Sequence, residues 1–237
     1  MRKIFTCIIL LTISINTYSQ LFFDGGLKGL IGPTLLINEN VFKDSDYEHL
    51  ISFGYGFGGK IGFNFNESVQ IAGEVIFSTF RQKFAITEND DTWEKDIKLN
   101  AIDIPILIRH NKSNGSYFEI GPQYSIVKKV SETLETGAAN ASSWFDKNYW
   151  SGVVGFGGYL MGWENFGIST GFRISYTLAD IVGNEAPADT YTYTARNYNS
   201  YKSSNPLVFV FVLEFNYDLG YMAKSPCTGR RSFLFFD

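Results

Sequence analysis

The 237-residue chain carries 24 acidic and 20 basic residues, and 17% of it is aromatic against 19% charged. That balance offers no basic stripe for nucleic acid, and beyond the N-terminus no run of about 18 apolar residues exists to make a membrane-spanning helix. So many aromatic residues among so few charges suit a β-barrel with aromatic girdles better than a water-soluble protein.

The chain opens as a secretory leader. Arg2 and Lys3 precede an apolar stretch from Ile4 to about Ile15, and Thr17 and Ser19 supply small side chains at the −3 and −1 positions of a cleavage between Ser19 and Gln20. Cys7 lies inside the apolar stretch, so lipidation is not expected. Without Arg2 and Lys3, the 20 basic residues become 18 against 24 acidic ones, a net charge of about −6. Three parts are expected: a signal peptide over 1–19, an outer-membrane β-barrel over 20–221 and a periplasmic tail over 222–237. Cys227 is then the single cysteine of the mature chain and has no internal partner.

Eight strands are predicted, at about 22–37, 50–65, 69–85, 98–110, 117–129, 149–161, 166–179 and 206–220. Each alternates with period two. Between 166 and 178, Phe166, Ile168, Phe172, Ile174, Tyr176 and Leu178 share one face, while Gly167, Ser169, Gly171, Arg173, Ser175 and Thr177 share the other. In the third strand Phe80 and Phe84 leave the apolar phase, which predicts a bulge or the membrane boundary. Connections alternate in length. Asn66–Ser68, Asn111–Ser116 and Gly162–Asn165 read as short turns, and 38–49, 86–97, 130–148 and 180–205 as long polar loops. Short periplasmic turns, long extracellular loops and an even strand count predict an all-β, eight-stranded antiparallel up-and-down transmembrane barrel. The rival is a soluble lipocalin-type barrel, whose polarity would be reversed, with an apolar inside and a polar outside. The Gly/Ser/Thr face makes a poor hydrophobic core and a good packed lumen, which favours the membrane form.

The inward face also carries charge. Lys28, Lys60, Glu74, Asp103, Arg173 and Glu214 fall at similar depth, with Glu119 somewhat lower. Isolated buried charges each cost several kcal/mol, so these are expected to pair as an ion-pair plug; a gate opened by partner exchange is the alternative. Only His49 and His110 are available for acid–base catalysis. His110 sits by a short turn, and His49, near Asp46, Glu48 and Ser52, has neighbours common to any polar loop, so no enzyme is expected. Two histidines at opposite ends and one cysteine build no zinc site, and no cofactor is expected. Glu88-Asn89-Asp90-Asp91 could hold Ca²⁺ weakly but reads more simply as a solvated loop. Gly54, Gly56 and Gly59 match a dinucleotide-binding spacing inside an uninterrupted strand, where it has no meaning.

Loops 38–49 and 86–97 are acidic, a face suited to divalent cations bridging lipopolysaccharide or to a basic partner. Loop 180–205 places Tyr191, Tyr193, Tyr198 and Tyr201 among small polar residues, either as a contact surface or as a strand extension above the membrane.

Ile102-Asp103-Ile104-Pro105-Ile106-Leu107-Ile108, a short turn, and Tyr117-Phe118-Glu119-Ile120-Gly121-Pro122 resemble the Bacteroidota outer-membrane β-barrel family often labelled PorT-like, as does Gly171 to Ile181. The resemblance covers about residues 21–220 and implies an eight-stranded barrel of OmpX/OmpA-like shape, with no shared catalytic motif. Members usually end on an aromatic residue closing the last strand. This chain runs on through Met222–Asp237, so an internal insertion signal near Tyr217 or Tyr221 is expected. The sequence therefore predicts a monomeric, non-enzymatic barrel of a Gram-negative outer membrane. It is set among lipid and lipopolysaccharide, with a structural role or an interaction with a protein or glycan at its loops. A narrow, porin-like gated pore for small solutes or ions is the runner-up, and a lipid-modifying barrel enzyme the third reading.

Overall fold

β1 (Phe22–Ile37) sets the pattern of the sheet: Asp24, Lys28, Thr34 and Leu36 are buried, while Leu27, Ile31 and Pro33 between them are exposed. The computed structural model describes residues 21–88, 91–134, 137–163, 165–183, 200 and 202–221. The leader and the tail 222–237 with Cys227 lie outside these residues. A five-residue helix, α1 (Glu39–Lys43), follows β1, capped by Asn38, whose side chain accepts hydrogen bonds from the backbone of Asn40 and Val41. The remaining strands are β2 (Tyr47–Leu50), β3 (Ser52–Asn64), β4 (Val69–Glu88), β5 (Asp91–Asn111), β6 (Ser116–Leu134), β7 (Gly137–Asn140), β8 (Asn148–Trp163), β9 (Phe166–Thr177) and β10 (Asn205–Tyr221).

Eight of them close a ring in the order β1-β3-β4-β5-β6-β8-β9-β10, with β10 pairing back onto β1, and every pairing is antiparallel. The chain is an eight-stranded antiparallel up-and-down β-barrel. Closure matters because an open edge in hydrocarbon would leave unpaired backbone groups costing several kcal/mol each. At one end the turns are tight. Asn66 Oδ1 accepts from the backbone N–H groups of Ser68 and Val69, both at 2.8 Å, and Gly115 takes a φ of +80° that L side chains rarely adopt.

The outer face of this short-turn half is apolar. Leu27, Phe57, Ile61, Val75, Ile106, Phe156, Trp163 and Leu219 are all exposed, Leu27 at 68%. Exposed aromatic and aliphatic side chains on this scale face a medium other than water.

The long-loop half differs from a membrane barrel, and here two sequence expectations are corrected. Segment 86–97 is not a long loop: β4 and β5 stay paired up to Glu88 and Asp91. Nor is 130–148, where β6 runs to Leu134, pairs with β7 and is followed by a 3₁₀ turn at Ser142–Trp144. Polar composition there misled: it came from outward residues and from Lys95 and Glu132, which pair with each other inside. β4 and β5 reach 20 and 21 residues, about twice the 9–11 needed to span a bilayer.

In this upper tier the polarity inverts. Phe80, Phe84, Ile86, Ile97, Leu99 and Val130 point inward and form one core with Leu36, Val41, Phe145, Tyr149 and Ile181. Arg81, Lys83, Asp96 and Lys98 face outward, with ion pairs between Arg81 and Asp96 and between Lys83 and Glu94. The register of β4 on β5 runs unbroken through Phe80 and Phe84, so they mark no bulge in that pairing. They keep their inward phase; what changes is the environment, from a polar lumen to an apolar cap. The upper tier thus has the polarity of the soluble barrel, stacked on a lower tier with the polarity of a membrane one.

Candidate functional site: a charged plug in the lumen

Register brings the inward charges together. Lys28 stands opposite Glu214, Lys60 opposite Glu74, and Arg109 opposite Glu119. Glycines occupy the facing positions on the other side: Gly58 beside Lys28, Gly26 beside Lys60, and Gly155 between Glu119 and Arg173. The space is used, since a Cβ on Gly155 would fall 2.7 Å from Glu119 Oε1.

The side chains then cross the lumen. Glu214 accepts from three cations: Lys28 Nζ at 2.7 Å, Lys60 Nζ at 2.7 Å, and both terminal nitrogens of Arg109 at 2.8 Å. Arg109 also donates to Glu119 Oε2 at 2.8 and 3.1 Å, with its guanidinium 4.2 Å from the Tyr117 ring centre. Arg173 forks onto Glu74 at 2.8 and 3.0 Å and onto Glu119 Oε1 at 2.6 and 3.0 Å. Lys28 closes the circuit on Glu74, and Lys60 reaches Asp24 at 3.2 Å. Four cations meet four carboxylates, and apart from Asp24 their side chains are at most 3% exposed. Bidentate Arg–carboxylate pairs of this kind combine strength with fixed geometry.

Six of the seven residues that the sequence singles out sit in this cluster: Lys28, Lys60, Glu74, Glu119, Arg173 and Glu214. Asp103 does not. Its carboxylate accepts from Ser125 Oγ at 2.6 Å and lines a cavity of about 70 Å³ on the long-loop side, with Ser78, Gln123, Tyr149, Ser151 and Arg173. The cavity has room for a few waters. Arg109 and Asp24 are members that the sequence reading missed. Arg109 shares the inward phase of Asp103 and faces Glu119 across a short hairpin, a signal that register alone could supply. A charge this deep is tolerated only with its partners, so Arg173→Ala, which leaves Glu74 with Lys28 alone and Glu119 with Arg109 alone, should cost about 3 kcal/mol. A lowered unfolding temperature in mild detergent checks this; an unchanged one would disconnect Arg173 from the plug.

The histidines are far from this chemistry. His110 is exposed beside the β5–β6 turn. His49 is held between two rings, stacked on Phe42 at 4.3 Å and edge-on to Phe84 at 5.0 Å. Ser52 donates its hydroxyl to Leu50 O and accepts from Lys83 N–H, so it is committed to backbone. Burial pushes His49 below its ordinary pKa, offset in part by a hydrogen bond to the Leu36 backbone. A depressed histidine contributes stability that is full above about pH 6.5 and lost as pH falls toward the lower folded value. Amide protection over 39–50, taken relative to intrinsic exchange at each pH, should therefore fall between pH 7.5 and 5, and His49→Phe should abolish that dependence. Equal pH dependence in the variant would assign the effect elsewhere.

Some of the loop acids are paired, and one loop lysine turns away from them. Glu39 pairs with Lys43 and Lys202, Asp96 with Arg81, and Lys95 turns inward onto Glu132 at 2.7 Å. Among the described residues no group of three or more His, Cys, Asp or Glu is placed to hold a metal. Tyr191, Tyr193, Tyr198 and Tyr201 lie outside the described residues.

No protein-family model matches this chain, and no curated protein matches it in sequence. Solved structures that match include the outer membrane protein OprG from Pseudomonas aeruginosa, at 13% identity and a TM-score of 0.43, covering 85% of this chain and 96% of that one. Neisserial surface protein A matches at 11% identity and 0.43, covering 83% and 97%. Ail, the attachment invasion locus protein of Yersinia pestis, in complex with the heparin analogue sucrose octasulfate, matches at 12% identity and 0.40, covering 84% and 99%. The barrel itself is defined by its strand pairings.

Proposed function

We propose that this chain is an exported, non-enzymatic barrel of the bacterial outer membrane that works through its surface rather than its lumen. The observation that carries this is a lumen closed twice, by the charged plug and by the apolar cap above it. The exposed apolar belt supports a bilayer setting, with the short turns on the periplasmic side and the long-loop tier outside. The Ile-Pro strand and its Gly-Pro neighbour support a place among the PorT-like Bacteroidota barrels. Its role is then structural or one of interaction at the outer tier, where the segment carrying Tyr191, Tyr193, Tyr198 and Tyr201 joins β9 to β10.

A narrow gated pore is the second reading, favoured by the Asp103 cavity lying between the two closures. Two measurements in sequence test these. A folded barrel should run anomalously on gels in mild detergent until boiled, and in a planar bilayer it should carry no steady current. Discrete conductance steps would select the pore, and recovery of the protein in the soluble periplasm would overturn the membrane setting.

A further inference from the structure

A bulge in β6 does something that strict alternation forbids. Asn100 of β5 pairs with Lys129, but Ala101 pairs with Val127, so Lys128 is an extra residue in the ladder. On the short-turn side of it odd residues such as Glu119 and Ser125 point inward, and beyond it Val130 and Glu132 do. The result is that Lys128 and Lys129, neighbours in the chain, are both exposed. Lys98 lies diagonally across from Lys129, since its own partner is Ser131. Lys147 is brought alongside by a 2.8 Å hydrogen bond from Val127 N–H to its carbonyl, and it too is exposed.

Four lysines on one stretch of wall repel one another, and like charges on neighbouring strands destabilise a sheet. Among the described residues no carboxylate pairs with any of them. Two nearby acids are engaged elsewhere, Asp96 by Arg81 and Glu94 by Lys83. The cluster also has a definite depth. The next outward positions toward the short-turn end are Phe77, Ile102 and Ile126, register partners of one another, and below Ile126 the ring of Tyr124 packs tilted against Trp150 at 5.0 Å. Along β6 the lysines thus follow directly on an outward face that is apolar at Ile126 and aromatic at Tyr124, as headgroup phosphates follow on the acyl and interfacial layers.

We propose that Lys98, Lys128, Lys129 and Lys147 form a docking surface for the phosphate groups of the lipid leaflet around the barrel's outer tier. This rests on the membrane setting proposed above and names its lipid partner. The missing counter-charge of the cluster is supplied by the membrane, and the bulge at Lys128 exists to present two ammonium groups side by side.

The test uses the full mature chain reconstituted in phosphatidylcholine vesicles containing diphosphoryl lipid A. After mild-detergent extraction, lipid retained by the barrel is counted by mass spectrometry. The wild type should retain lipid A in preference to phosphatidylcholine. K98Q/K128Q/K129Q/K147Q should lower that preference by at least about fivefold, the worth of a single cation near an anionic leaflet. The corresponding four-arginine variant should retain it, and K112Q, at the opposite end, should leave it unchanged. Equal preference in wild type and glutamine variant would overturn the surface, as would its loss to inorganic pyrophosphate with no discrimination between lipids. Failure of the wild type to insert would sink the membrane setting and this surface with it; insertion with unchanged retention sinks the surface alone.

Discussion

Glu214→Ala is expected to cost the folded barrel about 5 kcal/mol, the top of the range for breaking a buried ion pair. The carboxylate is fully buried and is shared by Lys28, Lys60 and Arg109. Without it three cations must divide what remains of Glu74, Glu119 and Asp24, at depths where water cannot replace the lost partner. The effect is read as a shift of the urea midpoint in lipid vesicles. A second variant makes the reasoning sharper. Adding Lys60→Met to Glu214→Ala removes one of the stranded charges, so the pair should be less damaging than the two losses added together. Strict additivity would mean that the plug is a set of independent contacts rather than one network.

The second large effect is expected at Phe84→Ala, about 3–5 kcal/mol within the upper tier. Phe84 is 1% exposed, sits among Phe80, Ile86, Ile97 and Leu99, and carries the edge of His49. Its loss opens a void in the cap while touching nothing in the belt or the plug. Proteolysis at the β4–β5 hairpin should accelerate by orders of magnitude while the heat-dependent gel shift persists. If the gel shift disappears as well, the two tiers are one cooperative unit and the division between them is wrong.

That division explains which features the sequence disclosed. The lower tier was legible because one face meets hydrocarbon and the other a packed polar lumen, and period-two alternation encodes this directly. Strand ends at 22, 37 and 69 agree with the structure to the residue. The same logic failed from Phe80 onward. Alternation reports which residues share a face, not which face is inside, so an inversion of environment looks like a break in phase. Segment 86–97 shows the consequence. Its Asp91 and Glu94 face water while Ile86, Ile97 and the paired Lys95 face inward, a pattern shared by a polar loop and an extended hairpin.

The plug shows the same limit from another side. The types and approximate depths of Lys28, Lys60, Glu74, Glu119, Arg173 and Glu214 are written in the strands. Their partners are not, because residues directly opposite in register need not be the ones that bond. Lys60 faces Glu74 across β3 and β4 yet binds Glu214, while Glu74 takes Arg173 from the far wall. Arg109 enters because its side chain is long enough to reach from near a turn into the layer, and Asp103 leaves because Ser125 offers a closer partner. The sequence by itself determined the strand count, the closed antiparallel order and the presence of buried opposite charges, since these follow from short-range periodicity. Only the tertiary structure decided the pairing across the lumen, the apolar cap and the outward turn of Lys128 and Lys129, since these depend on register, barrel diameter and a single extra residue in one strand.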